Sequence, residues 1–203
     1  MRRIGLLLAV VLAGAASAAS GQVGARTEVT VDSTRHDPKV RLHNLMEEAR
    51  WREALEDAFR ISLNWRVQLW QRRAIWSTKE REFEFTIVIR RDPLLGRYFI
   101  TYFSANREPV IESFSEFDDF VLQLERAIPI NYMAPTTSGD WFYVADLQVS
   151  ALDEEQFAEM QRYLGGGDAQ ASRGSAISNF LVRLVGLPSQ TVPAARSPRF
   201  RIP

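Results

Sequence analysis

Between Leu63 and Leu69 apolar and polar residues alternate, with Leu63, Trp65, Val67 and Leu69 set against Asn64, Arg66 and Gln68. The rhythm returns where Phe83, Phe85, Ile87 and Ile89 alternate with Glu82, Glu84, Thr86 and Val88. A period of two predicts half-buried β-strands. Asp92-Pro93-Leu94-Leu95-Gly96 then supplies a turn, Pro fixing φ and Gly allowing φ above zero, before a third strand from Arg97 to Ser104. Trp141 to Ala151 forms another, with Trp141, Tyr143, Ala145, Leu147 and Val149 inward and Asp146 and Gln148 outward. Strands with one wet face and one covered face pair antiparallel. A shorter alternation from Thr27 to Val31 adds one edge strand to a small, polar lead-in.

The helical period fills the gaps. Leu45, Ala49, Arg52, Leu55 and Phe59 share one stripe of an amphipathic helix from Leu45 to Phe59. Ser113-Phe114-Ser115-Glu116 has the spacing of a capping box. Behind it Phe114, Phe117, Val121, Leu124 and Ile128 recur at helical spacing until Pro129. Ser150-Ala151-Leu152-Asp153 opens a helix to Leu164, which Gly165-Gly166-Gly167 stops ahead of a small-residue linker through Gly174. A short helix from Ser175 to Val185 follows, ended by Gly186 and Pro188. The expected architecture is α+β, a mostly antiparallel sheet of about five strands with three or four helices packed on it. One domain spans 40–187, after a flexible lead-in over 19–39 and before an extended Pro- and Arg-rich tail over 188–203.

The N-terminus changes the picture from fold to location. Arg2 and Arg3 precede an apolar run from Ile4 to about Ala16, and Ala16-Ser17-Ala18 satisfies the small-residue cleavage rule. Residues 1–18 therefore predict a secretory signal peptide cleaved after Ala18, because Ser17, Ser20 and Gln22 interrupt the run before the roughly 20 apolar residues a membrane span needs. The sequence lacks the residues that flank a twin-arginine signal, and the absence of Cys excludes a lipid-bearing N-terminal cysteine. An exported protein follows, periplasmic or secreted, with no transmembrane anchor after cleavage.

Removing 18 of 203 residues leaves 185, enough for one domain burying roughly 70% of its unfolded surface. Without Cys the core must suffice unaided, and thiolate metal sites and Cys nucleophiles are ruled out. Loss of Arg2 and Arg3 leaves 23 basic against 25 acidic residues, a charge near −2 that gives no electrostatic case for nucleic acid. Lys39 and Lys79 are the only lysines, so the positive charge is nearly all Arg, as codon bias in a GC-rich genome produces.

Candidate chemistry is sparse. His36 and His43 stand seven apart in a polar segment, without the i,i+4 spacing of a helical zinc pair, and no G-x-S-x-G elbow presents a nucleophilic Ser. Glu82, Glu84, Glu112, Asp118 and Asp119 are the carboxylates available to a glycosidase-type pair. Glu82 and Glu84, however, read as the wet face of a strand, and Asp118 and Asp119 lie opposite a helix's apolar stripe. Gly165-Gly166-Gly167 lacks the Lys-Ser/Thr of a phosphate loop. No catalytic, cofactor-binding or metal-binding residue is assigned, and no cofactor is expected. One cluster stands out: Trp70, Arg72, Arg73 and Trp76 lie close to core-facing Trp65, and strand parity puts Trp70 and Arg72 on the opposite face. Aromatic and Arg residues dominate interface hot spots, so these four form a candidate contact patch unless helices cover both faces.

The order of motifs also carries a resemblance. It comprises a signal peptide, Ala54-Leu55-Glu56 ending a helix, the strand Leu63 to Trp70 running into Arg72-Arg73, and Ile89-Arg90-Arg91-Asp92-Pro93-Leu94 leading to Tyr98. Tyr143-Val144-Ala145-Asp146-Leu147 and the stretch to Leu164 complete it. From Val40 to Leu164 the chain resembles domain of unknown function 4390, a family of bacterial exported proteins. Members often carry a Gly in the turn before the first long strand, where this chain has Asp57-Ala58-Phe59-Arg60, and their Trp-containing ending is missing here. The resemblance implies an envelope location and a shared fold, and it carries over no catalytic residue. The expected role is a non-catalytic module binding a protein or cell-envelope component. The alternatives are a carboxylate-dependent hydrolase or carbohydrate-active enzyme, and a carrier of a small apolar ligand between sheet and helices.

Overall fold

A computed structural model describes residues 24–104, 108–152, 157–158 and 188–203. The expected signal peptide 1–18 with its cleavage after Ala18, the expected Gly165–Gly174 linker and the expected helix Ser175–Val185 lie outside the described residues, as does the expected helix to Leu164 beyond Leu152, apart from Phe157 and Ala158.

The period-two segments form long strands. β3 (Arg60–Arg72), β4 (Ser77–Asp92), β5 (Arg97–Ser104) and β8 (Gly139–Leu152) pair antiparallel, β3 lying between β8 and β4. β6 (Val110–Phe114) extends the sheet beyond β5, while β9 (Ser189–Arg196) and β10 (Phe200–Ile202) share the far side of β8. In the turn between β4 and β5, Asp92 Oδ1 accepts the N–H groups of Leu94 and Leu95 at 3.0 and 3.1 Å, and Gly96 sits at φ 61°. A three-stranded sheet of β1 (Arg26–Val31), β2 (Pro38–His43) and β7 (Ile128–Pro129) is the second sheet.

The expected α+β fold of about five strands with three or four helices is thus overturned. Among the described residues there are ten strands in two antiparallel sheets and two α-helices, and the protein is mostly β. The local reasons are visible. Glu48 takes an extended conformation (φ −76°, ψ 117°), splitting the first expected helix into a 3-10 turn (Leu45–Glu47) and α1 (Ala49–Glu56). Leu45 and Leu55 of the expected stripe are buried, with Ala54 beside them, but Ala49 and Arg52 are exposed and Trp51 takes the inward place. The expected capping box does not form: Ser113 belongs to β6, its hydroxyl accepting from Arg97 Nη2 at 3.0 Å. Glu116 precedes α2 (Phe117–Leu124) without a side-chain cap, and Ile128 passes into β7. The 188–203 tail is paired strand, and Pro193 fits there because an edge strand can spare an N–H. Much of the 19–39 lead-in likewise belongs to the β1–β2 hairpin, where Val29 is buried.

Strand alternation gives the large sheet two faces. Its inner face, with Ile61, Leu63, Trp65, Val67, Ile87, Ile89, Ile100, Leu147 and Val149, shares one buried cluster with Val29, Val40 and Leu42 of the small sheet, Trp51 and Leu55 of α1, and Phe120 of α2. Glu48 ties this layer together. Its carboxylate accepts from the Ala25 N–H at 2.8 Å, from Arg50 at 2.7 Å and from Gln190 at 3.3 Å. Burial pushes that carboxyl up, but these donors and the Arg50 charge hold it below the usual carboxylate range. On the outer face Val88 and Leu152 are buried with Phe103 and Phe157 against them, and Asn64 Oδ1 accepts from the Thr86 hydroxyl at 2.9 Å. No described helix is long and apolar enough to cross a membrane.

α1 ends in a Schellman motif. Phe59 N–H donates to Ala54 O at 2.9 Å and Ala58 N–H to Leu55 O at 3.2 Å, with Ala58 at φ 62°. This is the turn in which the resemblance leads one to expect Gly, and the left-handed φ supplies the physical reason.

Candidate functional site

The β3–β4 hairpin closes on a tight turn in which Arg73 N–H donates to Trp76 O at 2.8 Å. At its tip Ile75 and Trp76 are 86% and 61% exposed, and Arg72 and Arg73 beside them are exposed as well. Trp70 has a different setting. It is half-buried on the outer face, stacked on Phe142 with ring centroids 6.3 Å apart, its indole N–H donating to Gln68 Oε1 at 3.1 Å. The Arg196 guanidinium lies 3.6 Å from the centroid of the same Phe142 ring. Of the four residues marked by sequence, the fold therefore gathers Arg72, Arg73 and Trp76 at the tip, adds Ile75, and builds Trp70 into an aromatic ladder.

Below the tip the sheet is asymmetric. From Ile61 to Arg72 β3 is flanked by β4 and β8, whereas β5 covers β4 only from Phe85 to Asp92. Among the described residues Ser77–Glu84 of β4 pairs with β3 alone. An edge of this kind leaves alternate N–H and C=O groups unpaired. A bulge interrupts its pairing with β3, where Leu69 faces Arg81 and Trp70 faces Lys79.

Where β5 stops, a groove of about 570 Å³ opens between β4 and the segment 128–133. Phe83, Phe85, Tyr102, Ile128, Ile130 and Met133 give it an aromatic and aliphatic lining, with Arg81, Glu82, Asn131 and Tyr132 among its polar members. The groove wall is pinned: Met133 and Ala134 N–H both donate to Asp37 Oδ1 at 2.9 Å, Ile130 N–H to Pro38 O at 2.9 Å, and the Tyr143 hydroxyl to Met133 O at 3.0 Å and His36 O at 2.8 Å. Burial, and secondarily the Asp37 charge, pushes the Tyr143 phenol well above its usual range, so it stays a donor. Tyr132 stands at the lip, 85% exposed, with φ 66°. A left-handed tyrosine costs about 1–2 kcal/mol, which the pinned wall must offset.

The acidic residues separate by environment. Asp118 and Asp119 are exposed in the first turn of α2, and Glu112 on β6 accepts from the Tyr102 hydroxyl at 3.3 Å and Gln123 at 2.8 Å. Burial, then the Glu112 charge, pushes the Tyr102 phenol up to about 12. Only Glu82 and Glu84 share a face, next to the groove. Glu82 accepts from Lys79 and Gln68, each at 2.9 Å, and these partners outweigh burial and hold its carboxyl low. Glu84 has no hydrogen-bond or ion-pair partner among the described residues, and burial followed by the Glu82 charge raises its carboxyl. His43 Nε2 lies 2.8 Å from Glu28 and the His36 ring 5.6 Å from Phe200, and no cluster of three metal-ligating side chains occurs among the described residues.

No family model, curated protein or solved structure matches the chain. Sequence reasoning missed the groove and the strained Tyr132. One signal was available, the charged run Lys79-Glu80-Arg81-Glu82, which is how an unpaired strand edge is commonly written.

Proposed function

We propose that this protein is an exported, non-catalytic module that binds a protein or cell-envelope component through the end of its β3–β4 hairpin. The observation that carries the reading is the exposed Ile75–Trp76 tip beside Arg72 and Arg73, a small apolar anchor framed by cations. The spread of the carboxylates gives a hydrolase reading no support, since Asp118, Asp119 and Glu112 lie on other elements and Glu82 is held by Lys79 and Gln68. A photo-crosslinking residue at position 75, used in intact cells, tests the reading. A discrete adduct abolished by Trp76→Ala is expected, and a strictly solitary protein sinks it.

Export belongs to the same proposal and rests on the pattern of residues 1–18. Mass spectrometry of the mature chain is expected to find Ala19 at the N-terminus, and a retained Met1 overturns it. Kinship with domain of unknown function 4390 is likewise proposed, from the motifs between Val40 and Leu164. A member's structure with a left-handed residue at the place of Ala58 supports it; a helix running straight into the strand there counts against it.

A further inference from the structure

The tip says where a partner arrives, and the open edge behind it says what a partner can be. Among the described residues Ser77–Glu84 pairs with β3 alone, where Phe85–Ile89 pairs with both β3 and β5. At about 3.3 Å per residue it offers roughly 25 Å of edge, room for a segment of about eight residues. That edge ends at the apolar groove, so a chain continuing the line of β5 passes the groove lining on the inner side and Glu82 and Glu84 on the outer side.

Charge selects among the strands that fit. Lys79 is engaged with Glu82, and Arg81 points its guanidinium at the carbonyls of Tyr132 and Ala134, at 3.4 and 3.3 Å. Glu80 and Glu84 have no hydrogen-bond or ion-pair partner among the described residues. A second copy of the chain is a poor occupant. Antiparallel pairing of two such edges about Arg81 sets Glu80 against Glu82, and pairing about Glu82 sets Glu80 against Glu84. Like charges directly opposite oppose pairing, whereas a basic residue meets a carboxylate: Glu80 and Glu84 have no hydrogen-bond partner among the described residues, Glu84 with Arg66 opposite it on β3, and Glu82 shares its charge with Lys79.

The geometry points to strand addition: an extended peptide that alternates basic and apolar residues pairs with the Ser77–Glu84 edge of β4, its basic side chains toward Glu82 and Glu84 and its apolar ones in the groove walled by Phe83, Tyr102 and Met133. The inference rests on the protein-binding reading above and specifies its chemistry. Main-chain hydrogen bonds supply the attraction, and the two rows of side chains supply the choice. Tyr132, held out at the lip by the pinned wall, closes over the apolar row.

The test uses the mature full-length protein and a fluorescein-labelled decapeptide alternating lysine and valine, followed by anisotropy. Binding that weakens with added salt is expected, together with slower amide exchange across Ser77–Glu84. A glutamate–valine alternation and a peptide with its lysines and valines in separate blocks are expected to bind at least about tenfold more weakly. Glu84→Lys is expected to weaken the lysine peptide about tenfold, a repulsion replacing an attraction. N-methylation decides the mode: methylating the backbone nitrogens of one alternate set abolishes binding, while methylating the other set leaves it intact. Equal binding of both methylated peptides, or of the acidic one, overturns strand addition. A tip crosslink that persists alongside that result removes this inference alone; loss of both removes the protein-binding reading as well.

Discussion

The two halves of the β3–β4 hairpin are made by one strand pair and live in different worlds. From Ile61 to Leu69 and from Phe85 to Ile89 the hairpin is flanked on both sides, and its inner residues are nearly all removed from water. From Trp70 to Glu84 it loses the cover of β5 and ends in exposed Ile75 and Trp76. The same alternating pattern thus stabilises the molecule at one end and leaves Ile75 and Trp76 in water at the other. What differs is the number of neighbours, which no local pattern encodes.

The contrast breaks most easily in the core. Trp51→Ala removes a fully buried ring packed under the sheet and is expected to cost about 3–5 kcal/mol in urea unfolding. If the loss is under about 1 kcal/mol, the two halves do not differ as described. Tyr143→Phe is expected to cost about 1–2 kcal/mol, through the hydroxyl that reaches both His36 and Met133. Its pH dependence has a definite sign. The folded phenol is held above its unfolded value near 10, so its contribution is full below pH 10 and is lost as pH rises through the folded value. The Phe variant is expected to lack that part of the alkaline decline.

Smaller effects sharpen the picture. Ala58→Gly is expected to stabilise by about 0.5–1 kcal/mol, since it relieves a left-handed alanine at a cost in unfolded-chain entropy. Glu84→Gln is expected to raise the melting temperature by about 1–2 °C at pH 7 and not at pH 4. A carboxyl raised by folding contributes below its unfolded value and loses that contribution as pH rises through the folded one. An equal shift at both pH values assigns the gain to something other than charge. Smallest of all, Trp76→Ala is expected to stay within about 0.5 kcal/mol of the parent in the same urea titration. A larger loss assigns the tip to structure.

Against this background the reach of the sequence is clear. β3, β4, β5 and β8 announce themselves because each buries one face, and burial is written residue by residue. β9 and β10 give no such notice: Gln190 and Thr191 are polar and Pro193 reads as a breaker, yet the strand forms because β8 needs a backbone partner and asks for little else. The Ser113–Glu116 signal misleads for a related reason. Its box competes with β5, which draws Ser113 opposite Phe99 and leaves too few residues for a long helix. The tip was legible as an aromatic and Arg cluster. The groove was not, because Phe83 on β4, Tyr102 on β5 and Met133 in the loop after β7 are distant in sequence and meet only in the folded chain.

The strands that flank β8 also set an order in time. Ser189–Arg196 and Phe200–Ile202 close its second side, and Ser197 between them exchanges hydrogen bonds with the Tyr143 backbone, donating from its N–H and accepting at its hydroxyl, both at 2.9 Å. A chain that emerges from its N-terminal end presents β8 with one side bare until residues 189–202 arrive. Until then β8 keeps an open edge. Completion of the fold is thereby coupled to delivery of the segment that carries Val192 into the core.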